Sequence, residues 1–250
     1  MKPKNRTILN TLNIEEPSWS SALPGNGIPS KKTAAIMVSN AHSASFKGWH
    51  SRGYLPHFDA GSVVQSVTFR LVDSLPQEKL KILEEQLSSL LNTLAERERR
   101  TTIEQWLDAG MGCCVLRHPE IAEMVQDALL RFDGERYHLI AWCIMPNHVH
   151  VLLEPIISLA SIVKSWKSWT GKHARIHAMK LGLGVPAHGF WMREYWDRFI
   201  RNEEHFQKTV RYIHENPVKA QLCAAPEDWL WSSAGKERPG STELQVGSLT

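Results

Sequence analysis

Apolar and polar positions along this 250-residue chain follow two periods, one of two residues and one near 3.6, and the switches between them outline its elements. Residues 62–71, "SVVQSVTFRL", are rich in β-branched side chains and read as a first strand. Leu80, Leu83, Leu87, Leu90, Leu91 and Leu94 recur at helical spacing, with "ERERR" (residues 96–100) as the solvated end of that helix or the start of a charged connection. A cleaner helix follows His118. Pro119 suits its first turn, Glu120 and Glu123 favour its positive end, and Ile121, Val125, Ala128 and Leu129 form its stripe. Two apolar runs, "RYHLIAWCIM" and "HVHVLLEP", read as an antiparallel pair around Pro146 and Asn147, which specify no particular turn type. Residues 158–179 read as a further helix and "REYWDRFIR" as a candidate strand, and Asn202 caps a last helix with acids in its first turn. The order β-α-α-β-β-α-β-α predicts an α+β fold, with helices on one face of an antiparallel sheet. "PEDWLW" (residues 226–231) is expected to pack back as a short lid.

Residues 1–47 mix Ser, Asn, Pro and Gly without sustained periodicity and read as a disordered extension. Residues 48–234 read as the folded domain and residues 235–250 as a polar tail. A hydrophobic content of 42% and a charged content of 22% are ordinary for a soluble globular protein. No apolar run approaches the roughly 18 residues needed to span a bilayer, and the N-terminus has no secretion-signal pattern. A cytoplasmic protein with no membrane partner is expected. The cysteines Cys113, Cys114, Cys143 and Cys223 show neither CxxC spacing nor a framework pattern, so reduced thiols are the default.

A net charge of +3 is too mild to point to a partner, but its distribution is uneven. Lys164, Lys167, Lys172, Arg175 and Lys180 occur with no acid between them, interleaved with Trp166, Trp169, His173 and His177. Such a segment suits a phosphate backbone with exposed bases. It equally suits an amphipathic helix whose tryptophans pack on the core.

"HVHVLLEP" raises the sharpest chemical question. In a strand, His148 and His150 project to one face while Val149 and Val151 project to the other. Two neutral imidazoles side by side can ligate one divalent ion, which offsets the cost of placing them there; two surface histidines on a half-exposed sheet are the alternative. A zinc site recruiting Cys143 or Cys223 is a chemical competitor, although the spacing fits no common zinc module. In the last helix Phe206, Val210 and Ile213 form the core stripe. Tyr212 lies about 120° around the helix from Phe206 at roughly 100° per residue, with Asn216 one turn further on the same side. Pro217 disfavours helical geometry at Asn216, which is therefore expected at the helix terminus with its amide reaching outward. A half-buried tyrosine and a C-capping asparagine are the plainer reading. Taken together, two imidazoles and an amide oxygen could hold a cation beside a phenol able to attack phosphorus.

At this point the sequence resembles a family. "MPNHVHVLLEP", "SWKSWTGKHA", "REYWDRFIRNEEHFQKTVRYIHENPVKA" and "PEDWLWSSA" are similar, in order, to segments of the REP-associated tyrosine transposases, relatives of the single-tyrosine HUH transposases. With "HSRGYLPHFDAGSVVQSVTFRL" and "HPEIAEMVQDALLRFDGERYHLIAW", the resemblance runs from about Trp49 to Ala234. It implies a ferredoxin-like α+β fold with the histidine pair on a central strand. It also implies cleavage and rejoining of single-stranded, hairpin-containing repeat DNA through a covalent 5′-phosphotyrosine, with Mg²⁺ or Mn²⁺ as cofactor. On that pattern the metal-binding residues are His148, His150 and Asn216, and the nucleophile is Tyr212; Tyr195 is the other tyrosine to weigh. Lys164, Lys167, Trp169, Lys172, Arg175, Arg198 and Arg201 are the residues expected at the DNA, and the protein is expected as a monomer or homodimer. Two further readings stay open: a DNA-binding protein of this fold that grips hairpins without cutting, and a metal phosphodiesterase that uses water. Departures from the family pattern are the N-terminal extension, the polar tail and Gln221 after "NPVKA".

Overall fold

Alternating strands and amphipathic helices take the expected order in a computed structural model, which describes residues 48–51, 56–59, 62–89, 92–186 and 188–236. The extension expected over residues 1–47, and residues 237–250 of the expected tail, lie outside the described residues. Strands β1 (Gly48–Ser51) and β2 (Pro56–Asp59) pair as an antiparallel ribbon. The main sheet contains β3 (Gln65–Arg70), β4 (Tyr137–Ile144), β5 (His148–Pro155) and β6 (Trp196–Phe199), in the order β4-β5-β3-β6 with every pairing antiparallel. Helices fill the connections from β3 to β4 and from β5 to β6, and β5 and β3 are the central strands. This is the ferredoxin-like β-α-β-β-α-β pattern. No helix among the described residues is long and apolar enough to cross a membrane.

The region after β3 contains one helix more than the pattern of leucines predicts. Helix α1 (Gln77–Leu87) is followed by α2 (Asn92–Asp108), and "ERERR" lies inside α2 instead of ending a helix. The reason is a stripe the charges obscure. Ala95, Ile103 and Leu107 are buried with Leu75, Leu83 and Leu87 in a small core of their own, and Arg99 holds Glu84 through two nitrogens at 2.7 and 2.5 Å.

The sheet buries both faces, which corrects the expectation that the helices share one. Helices α3 (Pro119–Leu130) and α4 (Leu159–Lys180) cover one side, where Ile121, Val125, Leu129, Ile162 and Trp166 meet Val67, Phe69, Val149, Val151 and Leu153. Helix α5 (Glu203–Lys219) covers the other, with Ile213, Phe206 and Val210 against Ala141, Cys143 and Leu152. A register shift between Leu139 and Ala141 reverses which positions of β4 face the first core: Tyr137 and Leu139 before it, Trp142 and Ile144 after it.

Two terminal features also differ from expectation. Helix α5 continues through Pro217 to Lys219, so Asn216 is a buried helical residue and does not reach outward from a helix end. Proline removes one backbone donor within a helix, and packing of Ile213, Asn216 and Pro217, all buried, offsets that loss. The segment after residue 226 is an edge cover instead of a lid. Cys143 and Ser232 form an antiparallel bridge, Ile144 donates its amide to the Trp231 carbonyl at 2.7 Å, and Ser233 donates its own to Trp142 at 2.9 Å. The free edge of β4 is thereby covered at its Trp142–Ile144 end.

Candidate metal centre and nucleophile

Strand β5 is buried on both sides, and its side chains divide by chemistry. Val149, Val151 and Leu153 enter the α3–α4 core, while His148 and His150, 1% and 3% exposed, face α5. Their rings meet edge-on with centroids 4.6 Å apart, and their Nε2 atoms are 2.9 Å apart. Neighbours set which nitrogen carries the proton. The Asn147 amide donates through Nδ2 to the Met111 carbonyl at 2.8 Å, which turns its Oδ1 toward His148 Nδ1 at 2.7 Å. An amide oxygen only accepts, so His148 bears its proton on Nδ1 and keeps a lone pair on Nε2. His150 Nδ1 lies 2.9 Å from the Thr68 hydroxyl, its cross-strand neighbour on β3. Burial, with His150 and Arg70 acting in the same direction, holds the His148 imidazole well below the usual histidine range, so it is neutral at pH 7.

The spacing of the two nitrogens suits a shared cation. Two atoms bound to one ion at about 2.1 Å and at right angles stand roughly 3.0 Å apart, and the Nε2 atoms are 2.9 Å apart. A third donor comes from α5. Asn216 is completely buried, its Nδ2 lies 3.2 Å from His150 Nε2, and its Oδ1 has no hydrogen-bond partner. A half-turn of that amide would bring the orphaned oxygen to the imidazoles. Leaving a buried acceptor unsatisfied costs about 1–3 kcal/mol, and a bound cation would remove the penalty. The residues therefore fit a divalent ion. Among the described residues no three His, Cys, Asp or Glu side chains are grouped to hold one, so the amide is needed to complete a set of three.

The remaining groups define the chemistry beside that point. The Tyr212 ring stands edge-on to His150, centroids 5.4 Å apart, with its hydroxyl buried. Lys219 Nζ lies 5.2 Å from the centre of the Tyr212 ring and pairs with Glu215 at 3.3 Å. At the end of α2, Asp108 places Oδ1 3.9 Å from His148 Nε2. Burial, with Glu104 adding and Lys219 opposing, pushes its carboxyl up to about 6. Cys143, opposite His150 in the ladder, has a thiol that burial drives far up, and its sulfur sits 3.7 Å from Met145 Sδ. That thiol is a packed core group, and the zinc alternative gains nothing from it.

His148, His150, Asn216 and Tyr212 thus come together from two elements. The basic residues gather elsewhere. Lys164, Lys167, Lys172 and Arg175 line a cavity of about 790 Å³ between α4 and residues 189–195, together with Arg193, Glu194 and Trp191. Trp169, Arg198 and Arg201 are not among its lining. Trp169 is 46% exposed and stacks on His173 with centroids 4.6 Å apart. Lys167 donates to the Arg193 carbonyl at 2.6 Å, and burial pushes its ammonium down to about 8 against the pull of Glu194. Tyr195 lines this cavity, packs in the α3–α4 core and lies 4.5 Å from the His57 ring, apart from the imidazole pair.

Sequence reasoning misses Thr68, Asp108 and the role of Asn147. Asn147 is visible as the residue before the pair, but locally it reads only as part of a turn. Thr68 requires the β3–β5 register. Asp108 carries no local signal, because it belongs to a helix remote in sequence from the site.

Residues 117–216 match the model of the IS200-like transposase family. A Haemophilus influenzae protein, provisionally named a REP-associated tyrosine transposase, is 27% identical over 104 residues, which cover 39% of this chain and 58% of that protein. A solved structure of a REP-associated tyrosine transposase bound to a REP hairpin aligns with a TM-score of 0.42 at 18% identity, covering 74% of this chain and 81% of that one.

Proposed function

Starting from a chain whose residues 117–216 match the IS200-like transposases and whose motifs follow the REP-associated tyrosine transposases, we propose a metal-dependent enzyme that cleaves and rejoins single-stranded DNA at hairpin-containing repeats. The observation that carries this reading is the grouping of two Nε2 atoms 2.9 Å apart, the Asn216 amide with its orphaned oxygen and the Tyr212 phenol at one buried point. His148, His150 and Asn216 would hold Mg²⁺ or Mn²⁺, which supplies Lewis-acid polarisation of the scissile phosphate. The Tyr212 oxygen forms the new bond to phosphorus, the bond from phosphorus to the 3′ oxygen breaks, and the phenol loses a proton as the 3′ hydroxyl gains one. Lys219, above the Tyr212 ring, favours the developing phenolate by its charge. Asn147 and Thr68 orient the imidazoles.

The basic cavity supplies grip on the opposite side of the sheet from the imidazole pair. Lys164, Lys172 and Arg175 are the cations to test there, since Lys167 also tethers residue 193. Alanine at those three positions is expected to weaken DNA binding and flatten its salt dependence, because a phosphate no longer neutralised by a side chain keeps its counterions. Binding with an unchanged salt slope would return α4 to the role of a solvated helix.

Incubation of the protein with single-stranded hairpin DNA from the flanks of its own gene tests the chemistry. A covalent protein–DNA adduct is expected, mapping to the peptide containing "TVRYIHENP", lost in Tyr212→Phe and retained in Tyr195→Phe. Binding without cleavage would leave a non-cutting hairpin-binding protein. Cleavage without an adduct would leave a phosphodiesterase that uses water.

A further inference from the structure

Helix α2 lies before the segment matched by the family model, yet its last residue enters the site. Asp108 Oδ1 is buried, accepts no hydrogen bond and lies 3.9 Å from His148 Nε2. We propose that Asp108 is a fourth protein donor to the cation held by His148, His150 and Asn216, an inference that rests on the metal reading above.

The geometry supports a direct role. Two donors on one ion, each at about 2.1 Å, stand between roughly 3.0 Å at right angles and about 4.2 Å in line. The Asp108 oxygen, 3.9 Å from His148 Nε2, lies within that interval, and the separation of the two imidazole nitrogens, 2.9 Å, falls just short of its lower end. Asp108 is 26% exposed, so its carboxylate can rotate without displacing the core. Rotation closes the set that is incomplete as the side chains stand. Two imidazoles and an amide bring no charge, whereas Mg²⁺ and Mn²⁺ favour anionic oxygen. The carboxylate supplies a negative donor at this point and offsets part of the cost of burying a divalent charge. Lys219 and Glu104 also act on Asp108, and neither lies on β5. The α1–α2 pair thereby gains a function: its own small core, Leu83, Leu87, Ile103 and Leu107, fixes the end of α2 against the imidazoles.

Mn²⁺ titration of the purified full chain, followed by the paramagnetic resonance signal of the free ion, tests this without any DNA reaction. Asp108→Asn is expected to weaken Mn²⁺ binding at least about tenfold, while its melting temperature without metal stays at or above that of the wild type. Asp108→Glu keeps the carboxylate and is expected to bind within about threefold of the wild type. His148→Ala should remove binding altogether. Asp108→Asn binding Mn²⁺ as the wild type does, or the Asn and Glu variants weakened alike, would overturn the assignment while leaving the imidazole site standing. A wild type that takes up no Mn²⁺ would instead overturn the metal reading itself.

Discussion

The two faces of β5 are buried to the same degree and differ in everything else. On one, Val149, Val151 and Leu153 are at 0% exposure among the aliphatic and aromatic side chains of α3 and α4. On the other, His148 and His150 are at 1% and 3%, beside an Asn216 amide and an Asp108 carboxylate whose Oδ1 atoms accept no hydrogen bond. Burial therefore does not distinguish core from site in this molecule, but polar accounting does. Close packing satisfies the first face completely. The second holds two buried acceptor oxygens, Asn216 Oδ1 and Asp108 Oδ1, without donors, an arrangement that costs free energy until something positive satisfies them.

Substitutions on the two faces should give opposite signatures. The largest effect is expected from His148→Ala or His150→Ala. Each should remove Mn²⁺ binding and reduce cleavage of hairpin DNA by about a thousandfold or more, while metal-free melting changes less than for the valine substitution below. Calorimetric titration and melting curves on the same samples check both halves; retained cleavage in low metal would dissolve the distinction between the faces. Asn147→Ala comes next. Losing the acceptor that fixes the His148 tautomer should weaken Mn²⁺ affinity by about 10–100-fold with the two imidazoles still present. A variant that binds Mn²⁺ as the wild type does would show that the tautomer is set by something other than this amide.

Val151→Ala probes the packed face and should destabilise the fold by roughly 2 kcal/mol through reduced burial and a residual cavity. Mn²⁺ affinity of the folded fraction should stay within a factor of two or so, because Val151 projects away from the imidazoles; a fall comparable to that of Asn147→Ala would mean the two faces are coupled through the strand.

The smallest effect concerns the sheet's far edge. Burial works against charge on His57, but hydrogen bonds and attraction from Asp197 and Glu194 outweigh it and raise its pKa. A raised folded value contributes stability that is fully present below the unfolded pKa of about 6.5 and is lost as pH rises through the folded one. The contact ties β2 to β6, so limited proteolysis of the β1–β2 ribbon should quicken as pH rises above about 6.5. His57→Ala should remove that dependence, and equal pH dependence in both proteins would assign it to another group.

How much of the fold and site is legible in the sequence varies by element. The strands β3, β4, β5 and β6 and the helices α3, α4 and α5 follow from period and capping, and the Asn202 cap is realised, its side chain accepting the His205 amide at 2.8 Å. The second helix of the α1–α2 pair is hidden because its charged run masks the stripe of Ala95, Ile103 and Leu107. The end of α5 is misplaced by sequence reasoning because a local rule about the residue before proline loses to the burial of Ile213, Asn216 and Pro217 together.

Alternation along β5 by itself determines that His148 and His150 share a face, and helical spacing by itself places Tyr212 and Asn216 one turn apart; both are properties of backbone geometry, which short stretches of sequence carry. Which side of the sheet receives α5, how Asn147 is oriented by a carbonyl at residue 111, and that Asp108 arrives beside His148 were decided only by the tertiary structure. The Asn147 and Asn216 contacts alone join residues 36 and 66 positions apart. They exist because separate apolar surfaces can be buried together in one arrangement and not in others, a condition that no single segment contains.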